Sequence, residues 1–276
     1  MRFKGLFHRQ RASNVKLDET VFNQYCQEPP TSQTAIDALT GWNSAFPPSA
    51  QVQAGNHPLY SDTRIEWALQ RAGPIADQRI LEIGPLEGMH TFMLNQHKPA
   101  FIDAIEANKQ CFLRCLVSKE ILSIDRARFH LGDATKWLEA EDRRYDLAIA
   151  SGVLYHMADP AYFLRLLASS CDQLFIWTHY FSDVAMPLGD PRRSAFSGEK
   201  IERDIDGVSV AYHERRYFHA NEKNTFCGGL KDQHYWMDRK DILNLLKSFG
   251  LIHLEIAHED TGHSGGPCFS VFAKRA

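Results

Sequence analysis

The chain is most informative first for what it lacks. No apolar run among its 276 residues approaches the ~20 needed to cross a bilayer. The opening stretch MRFKGLFHRQRASNVK has no apolar core of signal-peptide length. There is no C-x-x-C pair. The six cysteines, at 26, 111, 115, 171, 227 and 268, are scattered, which reads as reduced thiols and a cytoplasmic protein. Cys111 and Cys115 stand one helical turn apart without further ligands nearby, so no metal is expected. Charge of one sign is also missing. With 31 Lys+Arg against 34 Asp+Glu, the net charge of -3 disfavours a dedicated nucleic-acid binder. Residues 1–16 are locally basic, and read as a solvated terminus. Nothing in the pattern fixes an oligomeric state.

What is present is a soluble globular composition, 44% hydrophobic and 24% charged, organised around residues 79–106, RILEIGPLEGMHTFMLNQHKPAFIDAIE. Arg79–Ile83 is a short apolar run of the kind that makes a buried parallel strand. Gly84 and Gly88 follow, letting backbone approach a ligand at the start of a helix over Met89–His97. Phe101–Ile105 is the next strand, with Glu106 at its carboxyl end, where open α/β sheets bind ligands. The pattern Glu82-x-Gly84-x-x-x-Gly88 lacks the middle glycine of G-x-G-x-x-G, which disfavours a dinucleotide pyrophosphate. Glu82 suits a cationic amino-acid moiety, and Glu106 a ribose diol.

Further strand signals follow in order: Arg128–Leu131, closing on Gly132-Asp133-Ala134; Tyr145–Ala150, closing on SGVLYHMADP; Gln173–Thr178, closing on His179; then Leu251–Ala257 and Cys268–Lys274. Helical spacing places helices at Thr34–Leu39, Ile65–Ala72, Asn108–Ser123, Ala161–Ser169 and Asp238–Phe249. A further helix is read over Asp18–Cys26.

These residues resemble motif I, the following acidic motif and motif IV of the class I S-adenosylmethionine (SAM) methyltransferases. Over some fifty core residues, G-V-L-Y-H and the Gly88-x-His90 spacing are similar to the tRNA wobble-uridine carboxymethyltransferases. The resemblance implies a doubly wound, Rossmann-like α/β sheet of seven strands in the order 3-2-1-4-5-7-6. It implies SAM as cofactor, held by Glu82, Gly84, Pro85, Gly88, Glu106, Ala107, Asp133, Ala134, Ser151, Gly152 and Tyr155, with Asp133 accepting from the adenine amine. Residues 1–60 are expected to form a lid and 61–276 the methyltransferase domain. The 179–237 insertion, with an Asp206-Gly207 hairpin turn, is expected to be a substrate cap. Trp42, His213, Arg216, Tyr217, His234 and Trp236 are the substrate candidates, and His179 and His156 the candidate bases. Carboxy-SAM would need a cation, and the run Gly262–Cys268 offers none, so plain SAM is expected. The leading reading is a small-molecule or glycan-like acceptor, with a tRNA-modifying transferase and a non-catalytic SAM-binding module as the alternatives.

Overall fold

The computed structural model describes residues 25–220 and 228–276. The basic stretch 1–16, nearly all of the helix expected over 18–26, and Cys227 lie outside them. Seven strands form the central sheet: β1 (Arg79–Ile83), β2 (Phe101–Glu106), β3 (Ala127–Leu131), β4 (Tyr145–Ser151), β5 (Cys171–His179), β9 (His253–Asp260) and β10 (Cys268–Lys274). Their order is β3-β2-β1-β4-β5-β10-β9, as expected. The first five are parallel, and β10 runs antiparallel to both β5 and β9. This is the Rossmann-like methyltransferase sheet.

Alternation decides which residues go to which face. On one face Leu81 and Ile83 pack with α6 (Pro160–Ser170) and α7 (Arg239–Ser248). On the other, Ile80 and Ile102 pack with Ile65 and Ala68 of α2 (Thr63–Ala72) and with Phe272 of β10. With both faces of the sheet covered, the last four residues of β1 are buried, Glu82 among them. Three more helices complete the layers: α3 (Met89–Asn95), α4 (Lys109–Leu122), and α5 (Ala134–Ala140), which starts from an Asp133 cap. No helix was expected at α5, because Asp133 and Ala134 read as the end of the preceding strand. Among the described residues no helix is long and apolar enough to cross a membrane.

Ahead of the sheet, α1 (Ser32–Asp37) and the chain to Tyr60 pack on α3 and α4 through Ile36, Phe46 and Tyr60. A buried ion pair fixes this segment. Glu87, in the glycine turn itself, meets Arg114 at 2.9 Å and accepts from the backbone N–H groups of Asn43 and Ser44, both at 2.8 Å. Arg114 also donates to the Gly41 carbonyl at 2.7 Å.

Between β5 and α7 stands a second sheet, β6 (Phe196–Ile205), β7 (Val208–Arg216) and β8 (Gln233–Met237), all antiparallel. Asp206 (φ 53°) and Gly207 (φ 80°) make its hairpin turn, as the Asp-Gly pair predicts. The third strand was not expected. Tyr212 anchors this sheet to the start of α6, donating to Asp159 at 2.6 Å and accepting from the Ala161 N–H at 3.0 Å.

Candidate active site

A cleft of about 480 Å³ opens at the carboxyl ends of β1, β2, β3 and β4, within the range of small-ligand sites. Gly84 (φ 69°) forms its floor, where a Cβ would press to 3.1 Å from Val153. Glu106 closes β2 with both carboxylate oxygens anchored. One accepts from the Leu86 N–H at 3.1 Å and the other from the Asn108 N–H at 2.7 Å. Burial pushes its carboxyl up, opposed by the backbone N–H groups of Asn108, Leu86 and Ala107. Asp133 stands across the cleft, with one oxygen accepting from Thr135 N–H at 2.9 Å.

Ala107, Ala134, Ser151, Gly152, Tyr155 and His156 also line the wall. Three expected cofactor residues do not. Pro85 and Gly88 close the turn on each other, Gly88 N–H donating to the Pro85 carbonyl at 2.8 Å. Glu82 is buried behind the turn, one oxygen accepting from the Thr91 hydroxyl at 2.5 Å and the other, Oε1, without a partner. Burial raises its carboxyl to about 7, with the neighbouring His90 and the Thr91 bond opposing and Glu106 adding to the rise.

His156 has one face on the cleft. Its Nδ1 shares a hydrogen bond with the Tyr217 hydroxyl, and burial, with His234, Arg215 and His179 adding to it, lowers its pKa to about 3. It is a neutral imidazole at physiological pH. Tyr217 in turn stacks on His234 (4.0 Å, 19°) and accepts from Gly229 N–H at 3.3 Å. Gly229 must lack a side chain, since a Cβ would come 2.4 Å from the His156 carbonyl oxygen. Residues 228–231 thereby bring the inserted segment to the cleft wall.

The remaining expectations shift. His179 is not on the wall: it stacks on Trp236 (5.1 Å, 6°) behind Tyr155, because its Nδ1 is drawn to the Gly266 carbonyl at 2.9 Å. Trp42 donates to the Ile36 carbonyl and packs edge-on to Phe46 inside the N-terminal segment. His213 pairs with Asp238 at 2.9 Å and stacks on Phe181, and Arg216 is tied to Glu214 at 2.8 Å on the surface. Tyr217, His234 and Trp236 reach the cleft only through His156 and Tyr155.

Arg64, Asn108, Trp177 and Lys231 line the cleft and were not anticipated. Arg64 lies 4.5 Å over the Trp177 ring and is paired with Asp62 at 2.5 Å. Burial pushes the Asp62 carboxyl up, but hydrogen bonds from His90 and Arg64 outweigh it and hold the group well below the usual range. Arg64 stands in the first turn of α2 after the Asp62 cap, a position whose local role is capping and which carries no pattern pointing to a cleft.

No protein-family model matches the chain, and no curated protein matches it. Solved structures do. The N-terminal domain of EvdMO1, in the presence of SAH and D-fucose, aligns over 88% of this chain and 95% of its own, with TM-score 0.65 and 24% identity. WbdD aligns over 88% of this chain and 46% of its own, with TM-score 0.52 and 15% identity. Magnesium protoporphyrin IX methyltransferase from Synechocystis PCC 6803 with bound SAH aligns over 78% and 81%, with TM-score 0.50 and 16% identity. At these identities the shared property is the fold.

Proposed function

We propose that the chain is a SAM-dependent methyltransferase acting on an oxygen or nitrogen of a small-molecule or glycan-like acceptor. The observation that carries this is one cleft with a glycine floor at β1 and carboxylates at the ends of β2 and β3. The residues fit the cofactor. Glu106 offers acceptors for a ribose diol, and Asp133 an acceptor beside the Ala134 N–H donor for an adenine edge. The structural likeness to an SAH-associated domain crystallised with D-fucose supports both cofactor and acceptor class.

Bound SAM would supply a methyl on a cationic sulfur, with a neutral thioether as the leaving group. The chain's own contribution is therefore alignment, which supplies up to ~7–11 kcal/mol in favourable cases. Tyr155 and Trp177 wall the cleft and exclude water. His156, held neutral and oriented by Tyr217, presents a hydrogen-bonding nitrogen to an acceptor hydroxyl. Its depressed basicity makes it an orienting group rather than a strong base. Calorimetry with SAM and SAH tests the reading, followed by transfer of labelled methyl to a panel of sugars. Binding of neither cofactor form would reject it.

One observation favours a second reading, a wobble-uridine-like carboxymethyl transfer. Arg64 places in the cleft the cation that an added carboxylate needs. Asp62 already shares that charge, so plain SAM remains the first reading. Native mass spectrometry of the purified protein separates the two cofactors by mass. A cytoplasmic location belongs to the same proposal.

A further inference from the structure

Behind the cleft wall lies a second group of ligand-type side chains. His179 ends β5, Cys268 begins β10 directly opposite it, and His263 sits in the turn between β9 and β10. One nitrogen from each histidine and the Cys268 sulfur all lie within 4.8 Å of one another. The immediate surroundings pre-orient two of the three. His179 Nδ1 points at two carbonyls, Gly266 at 2.9 Å and Pro267 at 3.4 Å, so the proton is on Nδ1 and the lone pair on Nε2. Cys268 Sγ accepts from the Trp177 indole N–H and from the Asp260 backbone N–H, contacts that fix where the sulfur points. His263 Nδ1 accepts from the Gly265 N–H at 3.0 Å, so that nitrogen is unprotonated already.

Room is also reserved. A Cβ on Gly265 would lie 3.2 Å from His179 Nε2 and 3.4 Å from the His263 ring. Gly265 has no left-handed backbone to explain its identity. The space in front of Nε2 does.

We propose that His179 Nε2, His263 and Cys268 Sγ bind one Zn²⁺, with a fourth position filled by water. Two imidazoles and a thiolate are the donor set that this borderline-soft ion takes. Backbone and indole partners already hold the other side of two ligands, as metal sites require. On binding, the Cys268 thiol proton passes to solvent, and His263 exchanges its Gly265 N–H contact for the ion. The ion would tie β5, β10 and the β9–β10 turn together behind Tyr155, which packs 4.6 Å from His179, and Trp177, two rings of the cleft wall. The site is independent of the methyl-transfer reading.

The test uses the untagged full chain, stripped with a chelator and dialysed against Zn²⁺ or Co²⁺. One equivalent of zinc should remain by elemental analysis, and cobalt should give a thiolate charge-transfer band. Cys268→Ser should abolish that band. His263→Ala, on a half-buried turn residue, should fold with an unchanged circular dichroism spectrum and weaken binding by about 100-fold or more. His253→Ala, an exposed histidine elsewhere on β9, should change nothing. The proposal is overturned if the wild-type chain retains no ion, if cobalt binds without the thiolate band, or if His263→Ala binds as tightly as the wild type.

Discussion

Glu82 pairs a buried carboxyl with a partnerless oxygen, and its titration carries a signed consequence. Burial holds its folded pKa at about 7, above the ordinary 4.5 of a glutamate, so the folded chain binds the proton more tightly than the unfolded one. Stability from this group is complete below pH 4.5 and is lost as pH rises through 7. Without ligand, Glu82→Gln should match the wild type at acid pH and exceed it by about 3 kcal/mol at pH 8, measured by urea unfolding at several pH values. Two superimposable pH profiles would mean that Glu82 titrates normally. Glu106→Gln keeps the shape but loses the charge, and should weaken SAM binding by about 10-fold or more in calorimetry. Unchanged affinity would remove Glu106 from the site. Both acids were legible in the sequence, because a strand, a glycine turn and an acid at a strand end form one local pattern. Arg64 and Trp177 were not. One looked like a helix-capping neighbour and the other like ordinary strand packing.

The elements built from local signals match closely. β1 and β10 have the expected ends, and α4 begins at the Asn108 cap and stops at Ser123 in the left-handed region. Elements defined by distant partners escaped notice. β8 exists because Tyr212 through Arg216 of β7 give it a ladder, which no property of QHYWM announces. The same holds for the Glu87–Arg114 clamp on residues 41–44, whose members lie on a turn and a helix 27 residues apart. Arg114→Met leaves Glu87 buried and uncompensated, and should cost about 3–5 kcal/mol in chemical unfolding. Limited proteolysis of that variant should cut first in the chain ahead of α2. Resistance equal to the wild type would show that apolar packing of Ile36, Phe46 and Tyr60 alone holds the segment.

Across the whole molecule, three imidazoles at the sheet's carboxyl end are kept neutral chiefly by burial: His156 at about 3, and His179 and His234 at about 4, against 6.5. Lowered folded values mean stability that is present above pH 6.5 and is lost as pH falls toward 4. In the metal-free chain, unfolding near pH 5 should take up close to three protons from this group. The resulting loss is up to about 4 kcal/mol per pH unit, set against the smaller opposite slope of Glu82. Thermal unfolding from pH 7.5 to 4.5 should show the steep acid limb, and a flat profile would mean that the cluster is solvated. One topological fact reaches beyond equilibrium. β10 sits inside the sheet, zipped to β5 over seven residues from Cys268 to Lys274. During synthesis β5 emerges long before this neighbour. Its free side, with Phe175 and Ile176 waiting for Phe272 and Val271, stays open to foreign strands while the ribosome completes the rest. The sheet cannot close until β10, the last strand in the sequence, takes its place between β5 and β9.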